Sequence, residues 1–199
     1  YSFPMNDPEI LNDGGASIDA YGNSLSGGEV TDQITTPLIT MKNLHLLTNY
    51  FHNAPLLAPD GQVRSIILGE QGYTSYSNLY EKNEARQASN IALAYYIAEM
   101  NEDVDAFLLR THVDENEGND YFKFGLWSAD SSGYPAERKF AYETYRFIDT
   151  TKTLEYTEYA KSALNIADWS EVVAGWNPQK FSSMGTITDA PLYTFSNAE

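Results

Sequence analysis

Val63-Arg64-Ser65-Ile66-Ile67-Leu68-Gly69-Glu70-Gln71-Gly72-Tyr73-Thr74 is the stretch whose reading decides the fold. Its β-branched and aliphatic centre is bounded by turn residues, with Pro55, Pro59 and Asp60-Gly61 before it and Gly72 after it. A continuous apolar run such as Ile66-Ile67-Leu68 suits a strand buried on both faces, as in a parallel sheet. A second run of this kind, Val104-Asp105-Ala106-Phe107-Leu108-Leu109, follows downstream. Between the two, from about Glu81 to Glu99, Ala88, Ile91, Ala92, Tyr95 and Ala98 keep one helical stripe. The acidic start of that segment suits the positive end of a helix dipole. Upstream, Leu44, Leu47 and Phe51 sit three and four apart and predict a helix over about 38–51. Helix, strand, helix, strand, helix is the order of parallel α/β units.

Outward from this centre the signals weaken. Residues 1–37 are rich in Gly, Asn, Asp, Ser and Pro and show no sustained period. They read as a long irregular loop or a truncated end. Phe122 to Trp127 is apolar and suits a short extension or a hairpin arm, and Pro135 is read as opening a helix in which Ala141, Tyr145 and Ile148 share a face. The residues after Thr150 read as a helical extension, 151–199, with a capping box at Asp168-Trp169-Ser170-Glu171. Two parallel strands do not complete a sheet. Either strands are missed in residues 1–37, or the chain is part of a larger fold.

Composition removes several classes of function. Twelve Lys and Arg against 28 Asp and Glu give a net charge of −16, so binding of nucleic acid by phosphate neutralisation is not expected. With 42% hydrophobic residues, 15 Tyr, 9 Phe and 3 Trp the chain is no acidic disordered polymer. There is no Cys, which excludes disulfides, thiolate metal sites and Cys nucleophiles. No apolar run approaches the ~18 residues of a membrane span, and no signal peptide starts the chain. Numbering from Tyr1 without a Met suggests a processed or excised piece. His45, His52 and His112 are scattered, without zinc spacing. Asp114 to Asp120 alternates oxygen ligands, but its Gly falls at the fifth place and Gly125 stands where an EF-hand needs Glu. No Gly-rich phosphate loop and no Gly-x-Ser-x-Gly elbow occurs. Neither a cofactor nor a metal is expected.

In parallel α/β folds, sites lie at the carboxyl ends of the strands. Glu70 stands there, directly after Ile66-Ile67-Leu68-Gly69, flanked by Gly69 and Gly72. The alternative is a solvated Glu in a tight turn. After the second strand, His112, Asp114, Glu115, Glu117 and Asp120 form a polar loop facing the same end. Of three Asn-Glu pairs, only Asn116-Glu117 follows a strand, so Glu117 is the carboxylate placed to approach Glu70. Sugars present an apolar face and a ring of hydroxyls, and Tyr73, His112, Asp114 and Trp127 are candidates for platform and hydrogen bonds. Trp127 serves equally well as core.

The stretch Arg64 to Ser75 resembles the strand-seven segment of retaining clan-A glycoside hydrolases, where a hydrophobic strand ends in Glu, one residue and Gly. A closer resemblance is to a bacterial family of presumed hydrolases of uncharacterised function with a related (β/α)8 barrel. It is carried by Glu70-Gln-Gly-Tyr-Thr-Ser75, the Glu84 to Ala94 helix with its Arg-Gln-Ala, Val104-Asp-Ala-Phe107 and His112-Val-Asp114. Glu117-Gly118, Phe124-Gly-Leu126 and Phe147-Ile-Asp-Thr150 extend it, so that it spans roughly residues 38–150. The resemblance implies a partial TIM barrel: strands seven and eight within residues 1–150, without strands one to five. Tyr1-Ser2-Phe3-Pro4 would then be the tail of the family's strand-six element, with residues 1–37 as the loop that follows.

The implied chemistry is retaining hydrolysis of a glycosidic bond, with two carboxyl groups about 5 to 5.5 Å apart. Glu70 matches the nucleophile. The family's acid/base precedes the nucleophile and usually follows Asn, and neither Glu9 nor Glu29 does. The family often has Thr where this chain has Gly69. The isolated chain is therefore expected to be catalytically poor unless Glu117 supplies the acid. The expected partner is a carbohydrate, and the expected location is secreted or at the cell surface. The other reading is a non-catalytic carbohydrate-binding or cell-surface interaction module. Pairing of open sheet edges between two copies, giving a homodimer, is a further expectation.

Overall fold

The computed structural model describes residues 30–36, 39–76, 83–115 and 123–186. Thr40 opens the first helical run with a reciprocal cap: its hydroxyl accepts from the Lys42 N–H, while the Asn43 side chain accepts from the Thr40 N–H. These bonds satisfy donors that have no partner inside a helix. A 3-10 turn, Met41–Asn43, leads into α1 (Leu44–Phe51), which buries Leu44 and half-buries Leu47 and Phe51. The helical periodicity read there is present.

β1 (Ile66–Gln71), α2 (Glu84–Glu99) and β2 (Val104–Leu109) form a βαβ unit. β1 and β2 run parallel, with Ile66 opposite Val104, Leu68 opposite Phe107 and Gln71 opposite Leu109. The register slips twice, once after Ile66 and once between Leu68 and Gln71. Asn83 caps α2 by accepting from the Arg86 N–H at 3.0 Å.

α2 is the centre of the molecule. A single apolar stripe is expected on it, yet Gln87 through Tyr96 are buried without a break. The helix is enclosed because it packs between β2 on one side and α3 (Ala141–Phe147) and α4 (Thr153–Leu164) on the other. Ala88, Ser89, Ala92 and Ala94 keep it slim enough for close approach. Near its carboxyl end Tyr96 is fully buried, and its hydroxyl meets those of Thr153 and Thr157 at 2.8 Å each. Its ring stands edge-on to Trp169 and Trp176, with centroids 4.8 Å away in both cases, and Phe181 closes the cluster at 5.2 Å. The described residues beyond Thr150 thus share one core with the βαβ unit. The capping box read at Asp168 forms, with Glu171 accepting from the Asp168 N–H, and it seats buried Trp169.

Two expectations are corrected. Ile66 and Leu68 are buried, but Ile67 is 59% exposed, and so is half of Leu108 on β2. Among the described residues, one helical layer covers one face of the two-stranded sheet, and the other face stays open. Pro135 does not open a helix. It lies in β4 (Pro135–Arg138), which pairs antiparallel with β3 (Trp127–Ala129). The turn is built by Asp130, whose carboxylate accepts from the Ser132 and Tyr134 N–H groups, and by Gly133 at φ +83°. β4 is fully exposed, where a missing proline N–H costs no ladder bond. The helix, α3, starts at Ala141 with Ala141 and Ile148 buried as expected.

Candidate functional site at the carboxyl ends of the parallel strands

Glu70 is set apart by its backbone. Its φ of +56° is left-handed, a region that favours glycine and is rare for a long side chain. It sits where the register slips between Leu68 and Gln71, so Gly69 and Glu70 are both exposed before Gln71 turns back into the core. A β-bulge of this kind re-aims a side chain. Gln71 is 2% exposed, its amide donates to the Gly69 carbonyl at 2.8 Å, and its own carbonyl accepts from the Arg110 N–H at 2.7 Å. A Cβ on Gly69 would meet nothing within 4 Å.

The segment after β2 is tied down by charge. Asp114 accepts at one oxygen from Lys139 Nζ and from the Gly125 N–H, both at 2.8 Å. Both partners of the ion pair are buried, with side chains 7% and 2% exposed. Lys139 also donates to the Lys123 carbonyl at 2.9 Å. Glu115 is paired with Arg110 at 2.8 Å, and that guanidinium lies 5.1 Å over the Phe124 ring. Asp114 and Glu115, the described carboxylates of the segment directly after β2, are therefore both engaged by cations. The His112 carbonyl accepts from the Leu126 and Trp127 N–H groups, and an isolated bridge joins Val113 to Trp127. Gly125 lies in the tightest contact: a Cβ there would stand 2.3 Å from the Asp114 nitrogen and 2.8 Å from the Trp127 oxygen.

The residues singled out in the sequence divide accordingly. Glu70 and His112 are exposed at this end of the sheet. Trp127 is half-buried, 6.4 Å from the His112 ring, 5.6 Å from Tyr142 and under the Arg138 guanidinium at 5.3 Å. Tyr73 is 1% exposed and belongs to the core. Asp114 is the buried partner of Lys139. Glu117 lies outside the described residues, as do Glu9, Glu29 and Asp120. Sequence reading gave no such role to Gln71, Gly125 or Lys139; the last two meet partners 11 and 25 positions away. Among the described residues no three metal-ligating side chains cluster, and no helix is long and apolar enough to cross a membrane.

A family model described as a family of unknown function, DUF5722, matches residues 1–172. The chain belongs to that family. No curated protein and no solved structure matches it. The DUF5722 match takes in β1, β2, the hairpin, α3 and α4, and ends just past the Trp169 turn. A cleft of about 600 Å³ in this DUF5722 chain lies elsewhere, where α2 ends and β2 begins, lined by Leu44, Ile97, Met100, Asp103 and Val172 among others. None of the described sequence-predicted site residues lines it.

Proposed function

We propose that the carboxyl ends of β1 and β2 are part of the active site of a retaining glycoside hydrolase, in which Glu70 is the nucleophile. The observation that carries this reading is the exposed Glu70 at the end of a parallel strand, on a bulge and in a left-handed conformation. Strained residues of this kind persist where the surrounding structure over-determines them, and they cluster at functional sites. In this reading the Glu70 carboxylate attacks the anomeric carbon as the glycosidic C–O bond breaks. A second carboxylic acid protonates the leaving oxygen, and water then releases the sugar from the Glu70 ester. Glu117 is the candidate acid. His112 and Trp127 are the sugar contacts at this rim; the Asp114 N–H donates to the Trp127 carbonyl, and Tyr73 stays in the core. β1 and β2 are strands seven and eight of a (β/α)8 barrel, and the open sheet face is the side turned to the rest of it. The setting is a secreted or cell-surface protein of bacterial type.

The test is covalent labelling of the protein with a 2-deoxy-2-fluoro-glucosyl fluoride, which accumulates a glycosyl-enzyme ester on a retaining nucleophile. A mass increase on the peptide holding Glu70, absent in Glu70→Gln, supports the reading. Labelling at another residue, or none across a panel of fluorosugar epimers, refutes it. The engagement of Asp114 and Glu115 by cations favours a second reading, a carbohydrate-binding module without turnover. Glu70→Gln separates the two, since it abolishes hydrolysis and leaves simple sugar binding largely intact.

A further inference from the structure

We infer that Gln71 is the positioning residue for Glu70: its buried amide closes the bulge and holds residue 70 in the left-handed conformation. The catalytic consequence rests on the reading of Glu70 as nucleophile; the structural statement does not. Three observations meet here. Gln71 spans Glu70 with a side-chain bond back to the Gly69 carbonyl at 2.8 Å, so that carbonyl cannot rotate without losing a buried partner. The other side of Glu70 is fixed by the Arg110 N–H on the Gln71 carbonyl at 2.7 Å. Between the two anchors Glu70 takes φ +56°, which a long side chain rarely adopts.

Gly69 has open space beside it, so packing on that residue does not force the bulge. Gln71 is 2% exposed beside the Leu109 position of β2, so its amide is held in one place by the sheet. The backbone direction at residue 70, and with it the Cα–Cβ bond of Glu70, is thus set by the buried Gln71 side chain.

The experiment is a double-mutant cycle on the unfolding midpoint in urea, using Glu70→Gly, Gln71→Met and the pair. Glycine takes a left-handed backbone without strain. Glu70→Gly is therefore expected to raise the midpoint when Gln71 is present, and to give a smaller gain or none alongside Gln71→Met. Independent, additive shifts overturn the proposal. Should Gln71→Met fail to fold, backbone chemical shifts of the unaltered protein decide: positive φ at residue 70 supports the proposal and negative φ overturns it. Fluorosugar labelling adds a readout that a merely structural role leaves unmoved. Gln71→Met is expected to slow the labelling rate constant at Glu70 at least tenfold with little change in the concentration giving half-maximal rate. An unchanged rate constant overturns the positioning role. If the unaltered protein takes no label, the glycosidase reading fails, while the stability cycle still reports on Gln71.

Discussion

Glu70 and Gly125 show two opposite uses of a backbone position. At residue 70 a side chain stands where glycine would be easier, at a cost of about 1–2 kcal/mol in conformational preference, which suits the nucleophile proposed above. At residue 125 glycine is kept because no side chain fits: the added Cβ would press on backbone atoms of Val113, Asp114 and Trp127. Gly125→Ala is expected to destabilise the fold by about 1–3 kcal/mol, read as a lowered urea midpoint. A midpoint equal to that of the unaltered protein would show that the segment after β2 yields freely. Glu70 was legible in the sequence because a lone carboxylate ending an apolar run needs no partner to be noticed. Gly125 was not, since its crowding comes from a loop eleven positions upstream.

At the scale of elements, the segment after β2 is held to the start of α3 by the Asp114–Lys139 pair. Breaking a buried pair by removing one partner leaves an uncompensated charge. Lys139→Met is expected to cost about 3–5 kcal/mol, and Asp114→Asn added to it recovers part of the loss by removing the orphaned charge. Calorimetric melting of both variants checks this, and a single variant no less stable than the double would contradict it. The helices carry a second signature. Burial pushes the Tyr159 hydroxyl up to about 12, and it also raises Tyr95, Tyr96 and Tyr145. These groups stay protonated in the native chain at pH values where the unfolded chain ionises, near pH 10. Their contribution is fully present below about pH 10 and is lost as the pH rises towards the native values. The urea midpoint is expected to hold to about pH 9.5 and then fall. Tyr159→Phe makes that fall shallower, and an unaltered slope would exclude Tyr159 from the linkage. Helix α2 was readable from its period, but its all-round burial was not, because an enclosing α4 leaves no mark on the sequence of α2.

For the whole molecule, the decisive contacts join distant parts of the chain. Tyr96 draws its hydroxyl partners from α4 and its ring partners from Trp169, Trp176 and Phe181. Truncation after Thr150 is therefore expected to abolish cooperative unfolding and the near-ultraviolet circular dichroism of the aromatic cluster. A truncated chain with a sharp transition would show that the βαβ unit stands alone. One face of β1 and β2 stays open among the described residues, with Ile67 and Leu108 uncovered, and in the proposed barrel it is the face turned to the remaining strands.

Sequence alone determined the elements whose signal is local: the strand runs at residues 66 and 104, the helical period of α2, the capping box at Asp168 and the carboxylate at the end of β1. Each depends on neighbours within a turn or a pleat, so the pattern survives in one dimension. The tertiary structure decided the rest. Pro135 became an edge strand because Asp130 and Gly133 turned the chain back before it. Tyr73 went into the core, Asp114 was engaged by a lysine 25 residues away, and Ile67 was left exposed on an uncovered face. Burial and ion pairing depend on what packs opposite, and in a folded chain that is chosen by distance in space instead of distance along the sequence.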